Sequence, residues 1–354
     1  IMKKKIYSSN KEQLSIFYYY WIVIRLNFKK FMNKKNPHKS FRLTRRRDYK
    51  RQLILPGYFK FTKSVFALIS KNKKIFIALI AFIMMLSILL VGFMDQSFLA
   101  TLQDTLSEVD SGDELYSSLG EIGRAGVLVL STASSGGLVY SPTESQQIIL
   151  VFITIFSWLA IVWLVRNIMA ERKDIKLRDA LYNCGSPIIA LAAVVLIIIA
   201  QLIPALIAIV VYNAAVSTGF LSGGVESMAV ATAVLLMVSL SVYWIIGSFF
   251  ALIISTLPGM YPLKAVNIAR EMVIGRRVKI FMRILWAVLI CVLMWVPIVI
   301  LVALTDWLGG KFEIINDIPI VQFFMLLTNC LILVFLSSYT YMLYRGVVDN
   351  DSRA

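Results

Sequence analysis

Histidine is nearly missing from this chain: His38 is the only one, and it lies in a basic stretch. Histidine triads, histidine metal clusters and imidazole proton relays are therefore excluded. Cysteine is almost as scarce. Cys184, Cys291 and Cys330 fall at the inner ends of apolar runs or inside them, cannot form a secreted-type disulfide framework, and read as small packing residues. No Walker loop, dinucleotide fingerprint or paired-cysteine zinc motif occurs, and Glu144, Ser145 and Ser255 have no base or partner near them in sequence. The sequence therefore offers no catalytic residue and no cofactor or metal site, and the expectation is a protein that is not an enzyme. Charge is also thin. Only 16% of residues are Asp, Glu, Lys or Arg against 59% hydrophobic, with a mean hydropathy of +0.77, which places the chain in the membrane class.

What is present in quantity is apolar sequence in long runs. Six are long enough to cross a bilayer: 75–94, 148–165, 187–212, 229–254, 284–304 and 320–344. If the N-terminus is cytoplasmic, the loops facing out are 95–147, 213–228 and 305–319, and of 36 Lys and Arg these hold only Arg124 and Lys311. That agrees with the positive-inside rule. Trp307 and Tyr212 at the outer ends, and Trp286, Tyr341 and Tyr344 at the inner ends, fit an aromatic belt.

The charge is concentrated on the inner side. The net charge is +16, and 21 of the basic residues lie in residues 1–74. Residues 1–54 are expected to be a disordered basic tail in which Arg45, Arg46 and Arg47 are positioned to meet anionic lipid; nucleic acid is the less favoured partner, because no aromatic platform or RNA-binding signature accompanies them. The stretch 16–24 is too short to span and lacks a signal-peptide cleavage site. Met32 begins a more ordinary N-terminus, so residues 1–31 are expected to lie upstream of the native start.

Residues 257–286 organise the membrane part, 55–345. Pro262 suits the first position of a helix and Gly275 the left-handed residue that ends it. Between them Ala265, Val266, Ile268, Ala269, Met272 and Val273 share one helical face, opposite Lys264, Asn267, Arg270 and Glu271. Such a helix is expected to lie as an elbow on the cytoplasmic face, with Arg276, Arg277 and Lys279 touching anionic lipid and Arg283 also on the water side. Residues 55–76 repeat the opening Leu-Pro-Gly, the amphipathic turn (Phe61, Val65, Leu68, Ile69) and the basic end. Residues 173–189 repeat the pattern faintly, through Leu177, Ala180, Leu181 and Cys184 on one face, then Gly185 and Pro187. Three units of elbow plus helical hairpin, or three unrelated basic helices, both fit.

The outer loop 95–147 has an acidic amphipathic piece and a Gly/Ser-rich piece; a cap folded on the helix ends is expected, with a gate or partner site as the alternative. Its acids lack the spacing of a calcium loop. The span interiors carry no Asp, Glu, Lys, Arg or His, which argues against proton coupling. Gln201 and Asn329 are the main polar groups there, expected to bridge helices, with a cavity lining as the alternative. Ala229 with Ala233, and Gly247 with Ala251, allow close helix approach, while Pro204 and Pro297 should kink the third and fifth spans.

The segment LPGMYPLKAVNIAREMVIGRRVKIF resembles the membrane domain attached to some bacterial glycerophosphodiester phosphodiesterases and its free-standing relatives. The resemblance implies a multi-pass membrane fold over about residues 55–345. It does not imply phosphodiesterase activity, since the catalytic barrel, with its histidines and metal-binding acids, has no counterpart here. The sequence thus leads to an all-α polytopic protein of the inner membrane with six transmembrane helices, cytoplasmic amphipathic elbows, both termini cytoplasmic and a short tail at 346–354. Two functions fit it: a scaffold or accessory factor in envelope or lipid processes that acts through protein partners, or a transporter or lipid-handling permease.

Overall fold

The computed structural model describes residues 53–91, 144–172, 175–218, 224–298, 300–301 and 320–352. The basic tail with Arg45, Arg46 and Arg47, the outer loop up to residue 143, and Trp307 and Lys311 lie outside the described residues. Within them all regular secondary structure is helical: α1 (Tyr58–Lys71), α2 (Lys73–Val91), α3 (Glu144–Met169), α4 (Leu177–Asn183), α5 (Ile188–Ser217), α6 (Gly224–Ser248), α7 (Ala251–Ile254), α8 (Pro262–Val273), α9 (Arg277–Leu293) and α10 (Ile320–Ser352). Six segments are long and apolar enough to cross a membrane: Lys73–Val91, Glu144–Met169, Ile188–Ser217, Gly224–Ile254, Arg277–Ile298 and Gln322–Asp351. Each coincides with a run expected from the sequence, and together they suggest a multi-pass membrane protein.

These helices form because apolar residues fill most of every face, leaving the backbone few polar side chains to compete with its own hydrogen bonds. Proline acts differently in two of them. In α5, Pro204 has no N–H to give the Ala200 carbonyl, and the N–H of Ala205 donates to Ser241 Oγ on α6 at 3.1 Å instead. The helix continues through that site. Ahead of Pro297, α9 stops at Leu293, a turn occupies Met294 and Trp295, and helix resumes at Val296.

Two buried clusters hold the bundle. One lies where α2, α3 and α10 pack together, around Phe76, Leu79, Leu159, Ile161, Leu164 and Val334. The other lies toward the C-terminal half of α10, where α1, α7 and α9 meet it and α8 packs on α7, around Val65, Phe250, Ala265, Ala269, Ile280 and Tyr339. Helices α5 and α6 pack chiefly on each other. In the apolar window of α3 50% of residues are buried, against 6% in that of α6, so the α5–α6 hairpin presents apolar side chains nearly all round. Gly247 and Ala251 are buried at a close approach, whereas Ala229 and Ala233 are exposed.

The short helices α1, α4 and α8 occupy the three places expected for amphipathic segments, and their apolar faces are the expected ones. Phe61 and Val65 of α1, Ala180 of α4, and Ala265, Val266, Ala269 and Val273 of α8 are buried. Lys264, Asn267, Arg270 and Glu271 point outward. Pro262 is the first residue of α8, and Gly275 follows its end at φ 83°. The apolar faces are spent on the chain itself: α1 packs on α10, α4 on α3, and α8 on α5, α6 and α7. The expected tail at 346–354 is not separate from the membrane part, because α10 runs on to Ser352. Asn350 holds it there, accepting from the Ile54 N–H at 3.0 Å and donating to the Ile54 carbonyl at 3.1 Å.

Candidate functional site

Long-range hydrogen bonds gather five helix ends at one end of the bundle. Arg166 near the end of α3 reaches Thr256 after α7, Arg276 before α9 reaches Asp351 at the end of α10, and the segment before α1 is held by Asn350. At the other end Gln146 Nε2 donates to the Val91 carbonyl at 2.9 Å, joining the start of α3 to the end of α2. Every Lys and Arg among the described residues belongs to the first end. The described residues of the other end carry Glu144 and Glu226.

The basic residues expected to touch lipid separate by position. Lys279 is exposed and Arg277 half-buried, its guanidinium carbon 3.9 Å from the centre of the Tyr243 ring. Arg276 departs from the expectation: it is only 2% exposed and turned into the protein. The left-handed turn at Gly275 directs its side chain back along α8, where Nε donates to the Met272 carbonyl at 2.8 Å and Nη2 pairs with Asp351 at 2.6 Å. A cation over the last carbonyls of a helix is favourably placed, and the carboxylate compensates its charge. Arg276 thus ties α8 to the end of α10 and has no surface left for a headgroup.

Arg283 also turns inward, although it too was expected on the water side. It is 8% exposed, donates through Nη2 to the Pro56 carbonyl, and lies 4.5 Å from the Tyr58 ring centre and 5.3 Å from that of Phe61. The Tyr339 hydroxyl donates to the Arg283 carbonyl at 3.1 Å. Trp286, one turn on, donates its indole N–H to Thr62 Oγ1 at 3.0 Å and meets Phe59 edge to face. Trp286 and Tyr341, expected in an aromatic belt, are packing residues here: Trp286 fastens α1 to α9, and Tyr341 is 5% exposed.

A cleft of about 320 Å³ opens at the same end. One wall is the last turns of α3, with Leu159, Trp163 and Arg166. A second is the turn between α4 and α5, with Asn183, Cys184 and Ser186, and the third is the loop from Ser255 to Met260 that contains the second Leu-Pro-Gly. Arg166 crosses from the first wall to the third, donating through Nη1 to the Thr256 carbonyl at 3.3 Å and through Nη2 to Thr256 Oγ1. Its Nε is buried without an acceptor among the described residues. Burial raises the Cys184 thiol to about 11, so this side chain stays protonated and weakly nucleophilic at neutral pH.

No known protein family, curated protein or solved structure matches this chain. Its function must be argued from the geometry.

Gln201 makes an interhelical contact, accepting from the Ser248 hydroxyl with Oε1 while its Nε2 finds no acceptor among the described residues. Asn329 is half-buried on α10 next to buried Cys330. Neither lines the cleft. The groups that sequence reasoning passed over are Arg166 and Thr256. A lone basic residue on the last turn of an apolar helix looks like any residue of a positive rim, and nothing local distinguishes one that turns inward.

Proposed function

We propose that this chain is a six-span protein of the inner membrane, with both termini cytoplasmic, that acts as a scaffold or accessory factor in envelope or lipid processes and not as an enzyme. The observation that carries this reading is the division of the molecule into a well-packed part, α2, α3 and α10 with the short helices on their inner ends, and an apolar hairpin, α5–α6, that offers its sides to its surroundings. Leaving a buried-type Leu, Ile or Phe side chain in water forgoes roughly 1.5–3 kcal/mol, and α5 and α6 expose many of them, which fits lipid or another membrane protein around the hairpin. The basic residues at one end fit the cytoplasmic surface, where roughly 1 kcal/mol per Lys or Arg is gained near anionic lipid; of Arg276, Arg277 and Lys279, the last two are exposed enough to gain it, as are Lys71, Lys73 and Lys74 where α1 meets α2.

The alternative, a transporter or lipid-handling permease, would be favoured by a polar path through the membrane. Gln201 instead bonds to Ser248 between paired helices, and the described cleft stays at the charged end.

Affinity purification of the full chain in mild detergent, with identification of proteins and lipids, tests the proposal. A stoichiometric envelope protein is expected, lost when large polar residues replace Leu235 and Leu236 on the exposed face of α6. If instead the purified chain alone moves solute or lipid across liposome membranes, the scaffold reading is wrong. Topology is checked separately: a reporter active only in the cytoplasm should work after Arg353 and be silent near Ser134.

A further inference from the structure

The cleft at the charged end holds a cation that no described residue neutralises. Among the described residues Arg166 forms no ion pair and no acidic side chain lines the cavity. Two of its nitrogens are tied to a carbonyl and a hydroxyl of Thr256, both neutral, and the third is buried with no acceptor among the described residues. A guanidinium presents a planar fork of N–H donors and gains most from an anion with several oxygens. The opposite wall is the start of the 30-residue helix α5, entered through Ser186 and Pro187, whose dipole presents partial positive charge to the same space. The exposed side chains of Asn183 and Ser186 stand at the mouth. Below them the walls turn apolar, through Leu159, Trp163 and Ala190.

We propose that this cleft binds a phosphate group, with Arg166 as its principal charge partner and the apolar wall of Leu159, Trp163 and Ala190 receiving what the phosphate is attached to. The chemistry is shared by an anionic lipid headgroup and by free phosphate. The proposal rests on the lipid-related reading above for its biological setting, though not for its chemistry. It also differs from an exposed basic patch. A patch made of Lys279 and similar residues responds to total charge, whereas the cleft responds to charge at one position.

The full chain, purified in detergent, would be titrated with palmitoyl-oleoyl phosphatidylglycerol, with the matching neutral diacylglycerol and with inorganic phosphate, and bound species counted by native mass spectrometry. One saturable phosphatidylglycerol is expected, with the diacylglycerol at least tenfold weaker. Ser186→Glu places a carboxylate at the mouth on an exposed residue and should weaken binding tenfold or more. Tyr182→Glu adds the same charge at an exposed position outside the lining and should change it less than threefold. Arg166→Gln should abolish binding and Arg166→Lys restore part of it; thermal unfolding of each variant distinguishes lost binding from lost fold. Displacement of the lipid by millimolar inorganic phosphate supports a lipid headgroup held through its phosphate. Saturable phosphate binding that Ser186→Glu removes, without a site-dependent lipid adduct, supports free phosphate as the ligand. Equal effects of Ser186→Glu and Tyr182→Glu, or no saturable binding of either probe, would overturn the proposal. Partner capture is measured on the α6 face, so either idea can fail without the other.

Discussion

The chain contains Leu-Pro-Gly twice, and the two copies end in different structures. At Leu55-Pro56-Gly57 the glycine has φ −53° and is itself the N-cap of α1, so the helix starts at once. At Leu257-Pro258-Gly259 the glycine has φ +72°, the chain turns away, and α8 begins only at Pro262. Each loop is held by a guanidinium from a different part of the chain: Arg283 donates to the Pro56 carbonyl, and Arg166 to the Thr256 carbonyl just before the second tripeptide. The surroundings then separate them. Tyr58, Phe61 and Trp286 close over the first arginine, whereas the second lines an open cleft; each keeps one nitrogen, Nη1 of Arg283 and Nε of Arg166, without an acceptor among the described residues. The same tripeptide can therefore serve as a packed joint or as the rim of a cavity, depending on whether aromatic side chains are near enough to fill the space.

The strongest test of that difference replaces each arginine with Met, which keeps the stem and removes the hydrogen bonds. Arg283→Met leaves the Pro56 carbonyl without its charged donor and loses two ring contacts, and should cost about 2–3 kcal/mol, read as a lowered midpoint of thermal unfolding in detergent. Arg166→Met should cost about 1 kcal/mol, because water in the cleft can replace it at Thr256. An Arg166→Met variant less stable than Arg283→Met would show that the two loops are not the joint and the rim described here.

A smaller effect is expected within the α5–α6 hairpin. Gln201→Leu removes the bond to Ser248 and should cost at most one or two kcal/mol, roughly the size of an interhelical hydrogen bond. The double Leu variant at Gln201 and Asn329 should then lose a little abundance and keep whatever function the gene complements. A stable, normally abundant double variant without function would instead favour the transporter.

The smallest effect is a rate at the cleft. In a chain with Cys291 and Cys330 replaced by Ala, maleimide labelling of Cys184 should be slow at pH 7 and rise about tenfold per pH unit up to about 10, since the thiol is pushed up to about 11. The sign follows from burial, which disfavours the thiolate, so its population keeps growing until pH approaches 11. A rate that levels off above pH 9, as an ordinary thiol would, means that the wall of the cleft opens in solution.

Much of this architecture was legible in the residues. The six apolar runs fixed six long helices, the spacing of Ala265, Val266, Ala269 and Val273 fixed the buried face of α8, and Pro262 and Gly275 fixed its ends, because each of these is a property of neighbours within a few turns. What the short helices pack against was not legible. Their apolar faces could have met lipid, and only the assembled bundle shows them buried on α10, α3 and α6. The fates of the arginines were decided at still longer range. Arg276 finds Asp351 75 residues away, Arg283 finds Pro56 227 residues away, and Arg166 finds Thr256 90 residues away. All four guanidinium groups, Arg166, Arg276, Arg277 and Arg283, look alike in a basic rim, since periodicity reports which side of its own helix a residue occupies and says nothing about what another helix brings to it. The sequence by itself determined where the chain is helical and which end of the bundle is basic. Which of those charges would be tied down, and which would face a cleft, depended on helix ends brought together by tertiary packing.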